Sequence, residues 1–339
     1  MHHSRRDELS FEGRVELPIL KSKILDGGRY GDPIDRHVAV YLPPVESAEK
    51  RLPTIYLLPG FTGNYTSYLE THAWKEGVVK CYDRGVVAGE FAPAILVMPD
   101  CFTKLGGSQF VNSDCLGRYE DYLTQEVPAF IDSLYPVLPG RRGVCGKSSG
   151  GFGAMRMAML HPGVFPAAGS ISGDVNFELG YGAEFPAALR GLVDHDMDPQ
   201  KFLDKFFESP ELKGDDHAVL NTLAMAACYS PNKDAPLGFD LPFEFTAGRR
   251  VDSVWQRWLA FDPLEMVDHC EENLKRMELV HLECGMKDQF HLQWGLRLLT
   301  DKLKALGVPH DHVEHAGSHF DINDRYPPLI HKLAVALDV

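Results

Sequence analysis

Short apolar runs recur along the chain with amphipathic stretches between them. Strand-length runs rich in Val, Ile, Leu and Ala fall at 37–42, 54–58, 94–98, 143–145, 167–172 and 279–284. Several stop at turn signals: Pro43-Pro44, Pro59-Gly60 and Pro99-Asp100. A more polar candidate lies at 310–315. Runs apolar at successive positions suit strands buried on both faces. The stretches 119–131 and 292–306 carry helical spacing, and a last helix is expected near 327–337. Strands alternating with helices predict an α/β fold, a mostly parallel central sheet with helices on both faces. The segment 174–261 breaks the rhythm with Phe202, Phe206 and Phe207, with Pro231, Pro236 and Pro242, and with Trp255 and Trp258. It reads as a helical insertion, a cap over the C-terminal ends of the strands, where open α/β sheets bind ligands. Residues 1–339 are then a single domain carrying one insert.

The densest chemistry lies at the end of the 143–145 run. Gly146-Lys147-Ser148-Ser149-Gly150 is G-x-S-x-G, with a strand candidate before it and an Ala- and Met-rich helix after it that stops at Pro162-Gly163. A serine on such a strand-to-helix turn is held in a strained conformation with its hydroxyl exposed. A Cβ at Gly146 or Gly150 would crowd the turn. Ser148 is therefore the candidate nucleophile of an acyl-transfer enzyme. Gly146-Lys147-Ser148 also ends a phosphate-binding loop, but that loop needs a glycine where Arg141 stands.

A serine hydroxyl needs a base, and the base needs an orienting acid. In this topology the chain order is Ser, then Asp or Glu, then His. Asp288 follows the 279–284 strand in a loop before a helix and is the candidate acid; Glu283, inside the strand, is its rival. His319, in Gly317-Ser318-His319, is the candidate base. An imidazole base of ordinary strength predicts activity that falls below about pH 6–7. The oxyanion of the tetrahedral intermediate needs two amides. The Ser149 amide is one; Phe61, after Pro59-Gly60, is the preferred second, with Thr62 next. His310, His312 and His315 could suggest a metal, but on a strand the first two share a face that the third opposes. No metal site is expected.

Composition narrows the partners. A net charge of −14 argues against a nucleic-acid or anionic-membrane surface. No run of about twenty apolar residues is present, so no transmembrane helix is expected. The N-terminal residues lead into no apolar signal-peptide core. Seven cysteines, odd in number and without a C-x-x-C pair, read as reduced thiols of a cytoplasmic protein. Cys145, beside the nucleophile, is expected to be strand core.

On these motifs the chain resembles the putative-esterase family of α/β hydrolases, which includes S-formylglutathione hydrolase, feruloyl esterase and enterochelin esterase relatives. The matching pieces are Tyr56-Leu57-Leu58-Pro59-Gly60-Phe61-Thr62-Gly63, Met98-Pro99-Asp100, Asn112-Ser113, the block from Gly146 to Ala154, the loop from Gly285 to Phe290, and Gly317-Ser318-His319. The resemblance implies an α/β-hydrolase fold and a cofactor-free serine hydrolase of small-molecule esters or thioesters, with Ser148 as nucleophile, Asp288 as acid and His319 as base. Many relatives have His-Gly where this chain has Pro59-Gly60, and Asp-Trp where it has Phe320-Asp321. Those departures leave the triad intact and the acyl and leaving groups open. An acyltransferase with the same triad, or a ligand-binding protein on a hydrolase fold, is the alternative. Asn112, Tyr65 and Trp258 are candidates for lining the pocket. The oligomeric state is open, a homo-oligomer included.

Overall fold

The computed structural model describes residues 11–45, 47, 50–70, 76–320 and 322–338. Its strands are β1 (Arg14–Glu16), β2 (Ile19–Lys21), β3 (Asp35–Leu42), β4 (Leu52–Leu58), β5 (Ile95–Pro99), β6 (Asn112–Ser113), β7 (Gly117–Arg118), β8 (Val137–Lys147), β9 (Ala167–Ile171), β10 (Leu279–Gly285) and β11 (Asp311–His315). The main sheet runs β1-β3-β5-β4-β8-β9-β10-β11, with β2 also on β3, while β6 and β7 form a separate hairpin. From β5 to β11 every pairing is parallel; β1, β2 and β5 meet β3 antiparallel.

The apolar runs form central strands because both their faces are covered. Successive residues of β4 alternate between two cores. Tyr56 and Leu58 join the side holding Phe152 and Met155 of the helix Ser149–Leu160 and Leu299 of the helix Leu292–Ala305. Ile55 and Leu57 join the side holding Val79 and Tyr82 of the helix Val78–Val87 and Leu333 of the helix Tyr326–Leu337. A period of two on a strand places alternate side chains on opposite faces. The expected 119–131 helix is interrupted: a π-helical turn, Tyr122–Glu126, precedes an α-helix at Val127–Leu134.

Between β9 and β10 lie the helices Tyr181–Leu192, Pro199–Glu208, Asp216–Tyr229 and Asp252–Leu259. They close around an aromatic cluster. Phe185 packs edge-on to Trp255 at 5.4 Å between centroids, and Tyr181 and Tyr229 meet Trp258 at 5.8 and 5.6 Å. No helix among the described residues is long and apolar enough to cross a membrane.

Candidate active site

β8 delivers the chain to a sharp turn. Ser148 has φ 57° and ψ −127°, a left-handed backbone that a side chain rarely adopts. Its amide is shared by the carbonyls of Ile171 and Ser172, both at 3.1 Å, which ties the turn to the end of β9. Crowding explains the flanking glycines: a Cβ on Gly150 would lie 1.8 Å from the Leu58 carbonyl oxygen, and one on Gly146 would lie 2.4 Å from the Gly150 backbone. The helix Ser149–Leu160 begins immediately after, so the Ser149 amide is one of the donors that a helix start leaves unpaired.

The acid and base arrive from neighbouring strands. β10 and β11 are parallel partners, and the loops beyond them are joined through the backbone. The Met286 amide donates to the His315 carbonyl at 2.8 Å, and the Lys287 amide to the Gly317 carbonyl at 3.0 Å. Asp288 and His319, distant in sequence, thereby come into contact. His319 Nδ1 lies 2.8 Å from Asp288 Oδ2, while Asp288 Oδ1 accepts the Phe290 amide at 2.9 Å. A ring nitrogen facing a carboxylate carries the proton, which leaves Nε2 its lone pair. The imidazole is fixed from three further directions: its own amide donates to Gln289 Oε1 at 3.0 Å, and Phe290 and Phe320 meet the ring edge-on at 4.7 and 5.4 Å. Burial raises the Asp288 carboxyl, but the His319 contact and the Phe290 amide outweigh it and hold the group below its usual range.

Glu283 is engaged elsewhere. Its carboxylate pairs with Arg325 and accepts from His281 Nε2 at 3.3 Å, away from His319. The three histidines near β11 have separate neighbours: His310 the Val308 carbonyl, His312 Glu314, and His315 the Gly317 amide. Cys145 is fully buried in β8, and burial pushes its thiol well up. All seven cysteines are free thiols.

Two cavities meet at Ser148. One, about 370 Å³, is an open cleft lined by Ser148, His319, Lys147, Glu70, Asn323 and Phe320. The other, about 60 Å³, is narrower, and Val175, Phe177, Tyr181, Phe290 and Leu292 line it together with Ser148, Ser149 and Asp174. Phe61 borders both, and its amide has no backbone acceptor among the described residues. Thr62, the alternative second donor, is unsuitable because its amide is consumed by the Gly106 carbonyl at 2.8 Å.

The three side chains expected to line the pocket do not. Asn112 is exposed on β6, where its Oδ1 accepts the Asp121 amide at 3.1 Å. Tyr65 packs toward His37, with 6.3 Å between ring centroids, beside the helix Val78–Val87 rather than at either cavity. Trp258 is buried at the centre of the inserted segment's aromatic cluster and donates Nε1–H to Ser230 Oγ at 2.9 Å. Residues that do line the narrow cavity, Asp174, Tyr181 and His217 among them, were not singled out from the sequence. Asp174 carried one legible signal: it stands just past Ser172-Gly173 at the carboxyl end of β9, where α/β sheets place site residues.

A strained serine turn, a buried Asp–His pair and a mostly parallel sheet define an α/β hydrolase. The family described as "Putative esterase" matches residues 33–305, and the chain belongs to it. Among curated proteins, S-formylglutathione hydrolase of Mus musculus is 27% identical over 141 residues, 38% of this chain and 48% of that protein. The Rattus norvegicus protein of the same name matches to the same extent, so the chain spans about half the length of these relatives. Solved structures share the fold over nearly the whole chain. A ferulic acid esterase superposes with a TM-score of 0.62 at 20% identity, covering 97% of this chain and 100% of that one. An S-formylglutathione hydrolase from Agrobacterium tumefaciens gives 0.58 at 16% identity, with 97% of each chain covered.

Proposed function

We propose that the protein hydrolyses carboxylic esters or thioesters through an acyl-Ser148 intermediate. The observation that carries this reading is the 2.8 Å His319–Asp288 contact on the same cleft as a strained Ser148. His319 Nε2 takes the Ser148 proton as Oγ attacks the acyl carbon. The amides of Ser149 and Phe61 receive the oxyanion, and His319 returns the proton to the departing alcohol or thiol. Water then repeats the sequence on the acyl-serine, releasing the acid. Asp288 fixes the imidazole tautomer and faces the positive charge that forms. The similarity to an S-formylglutathione hydrolase and a ferulic acid esterase supports this class of bond.

The leaving group must lie on the side of the proton donor. His319 lines the open cleft and not the narrow cavity. The cleft is therefore the leaving-group side, and the narrow cavity holds the acyl group. A fluorophosphonate probe tests the nucleophile. The wild type is expected to label on Ser148 and Ser148→Ala to lose labelling, with kcat for an activated ester falling by about 10⁴-fold or more. Unlabelled wild type in a folded sample, or undiminished turnover in Ser148→Ala, would overturn the reading.

A further inference from the structure

The narrow cavity is apolar over most of its wall, with the half-buried Asp174 as an exception. Asp174 Oδ2 accepts three hydrogen bonds, from the hydroxyls of Tyr181 at 2.7 Å and Ser149 at 3.3 Å and from Gln109 Nε2 at 3.2 Å. Gln109 is itself held by the hydroxyl oxygens of Tyr181 and Tyr229, at 2.9 and 3.0 Å. All three donors converge on one oxygen. Oδ1 accepts no hydrogen bond among the described residues and is not sealed from the cavity. A carboxylate fixed in this way needs no reorganisation to receive a ligand. Its solvation is incomplete: burial raises the carboxyl above its ordinary range despite the Tyr181 hydroxyl, His319 and Gln109. A further donor at Oδ1 would relieve that cost.

Charge on the rest of the wall points the same way. Glu184 is a second carboxylate on this cavity, and neither Lys nor Arg lines it. Its imidazole, His217, is shared with the open cleft and packs edge-on to Phe61 at 5.9 Å. The volume of about 60 Å³ admits on the order of five water-sized groups.

We infer that the narrow cavity selects a short acyl group bearing a hydrogen-bond donor, a hydroxyl or an ammonium, which Asp174 Oδ1 receives, and that it refuses an acyl group ending in a carboxylate. This rests on the assignment of the narrow cavity to the acyl side of Ser148. Asp174 is then a specificity-determining residue, separate from the proton relay.

The test uses four thioesters of one thiol, N-acetylcysteamine, and reads kcat/KM. The acyl groups are butanoyl, 3-hydroxypropanoyl, 3-aminopropanoyl and malonyl. In the wild type, at least one donor-bearing acyl group is expected to exceed butanoyl by about tenfold or more, and malonyl to fall below butanoyl by a similar factor. The better of the two donors separates hydroxyl from ammonium recognition. In Asp174→Asn the donor advantage shrinks toward unity and malonyl recovers relative to butanoyl. Fluorophosphonate labelling of Ser148 in the variant reports an intact site. Wild type that cleaves butanoyl as well as both donor-bearing groups would overturn this inference and leave the hydrolase reading standing. Wild type that cleaves none of the four and resists the probe would overturn both.

Discussion

The two cavities that meet at Ser148 are built from different parts of the chain. The open cleft is walled mostly by loops at the carboxyl ends of β4, β8, β10 and β11, the loops that carry the candidate triad and oxyanion donors. The narrow cavity takes most of its wall from the residues between β9 and β10. The first is roomy and mixed in polarity, the second tight and mostly apolar around the half-buried carboxylate of Asp174. On the proposed function, chemistry and selectivity would be segregated along the sequence, the sheet loops holding the bond-making atoms and the inserted segment setting what acyl group fits. A change in the insert should alter which ester is cleaved more than how it is cleaved.

That contrast can be broken most severely at the triad. Asp288→Asn keeps the shape but offers the imidazole an amide in place of a carboxylate, and kcat is expected to fall by about 10³- to 10⁴-fold while KM changes little. A loss under tenfold in single-turnover kinetics would remove Asp288 from the proposed relay.

On the side of the narrow cavity, Leu292→Ala, at the start of the helix that follows β10, hollows the pocket, where Leu292 is 3% exposed. The optimum in a series of p-nitrophenyl esters should move to longer acyl chains, with kcat/KM for octanoyl rising about tenfold relative to butanoyl. The same change should cost about 2–5 kcal/mol in urea denaturation. An unchanged chain-length profile would show that acyl groups do not enter this cavity.

Asp262 supports the contrast from behind. It accepts the amides of Asn176, Phe177 and Leu264 at 3.0, 2.6 and 3.0 Å, pinning the segment that carries Val175 and Phe177 into the cavity wall. Burial pushes its carboxyl up to about 6 even against those three donors. Asp262→Ala leaves three amides without their acceptor and is expected to cost about 2–4 kcal/mol. It should impair selectivity among acyl groups before it impairs probe labelling, which a thermal melt alongside the thioester panel would reveal.

Glu283 gives a pH signature on the sheet side. Burial raises its carboxyl, but His281 and Arg325 hold it below the usual glutamate range. A depressed folded-state value means stabilisation that is fully present above the unfolded-state value of about 4.3 and is lost as pH falls through the lower folded value. Urea midpoints between pH 6 and 3 should therefore decline less steeply in Glu283→Gln than in wild type; parallel curves would contradict the assignment. The smallest effect is expected at Glu70, an exposed residue of the open cleft. Glu70→Gln should change chain-length preference by no more than about twofold in the same ester series.

Much of this arrangement is legible in the amino-acid sequence. Central strands such as β4 and β5 announce themselves because burial on both faces demands unbroken apolar runs, and the serine turn because only small residues fit beside Leu58. Asp288 and His319 could be singled out because loops after late strands are few. The walls were not legible, for a physical reason. Trp258 and Tyr181 lie on helices of the same segment with similar aromatic spacing, yet one fills the cluster's centre and the other reaches the cavity. Helical periodicity marks a buried face without saying what the face is buried against. Asn112 and Tyr65 failed likewise, since a polar or aromatic residue near a motif satisfies a turn or packs on a helix as readily as it meets a ligand. The short edge strands β1 and β2 and the Tyr122–Glu126 turn fell below the length at which a period can be read.

The most direct test of the acyl-serine is rapid-quench intact-mass spectrometry of the wild type mixed with a slowly hydrolysed ester, followed by peptide mapping. The expected result is a transient mass increase equal to one acyl group, located on Ser148 and absent from Ser148→Ala. Turnover without any acylated species, from a protein whose product release is shown not to be limiting, or an acyl group mapped to another side chain, would contradict the account.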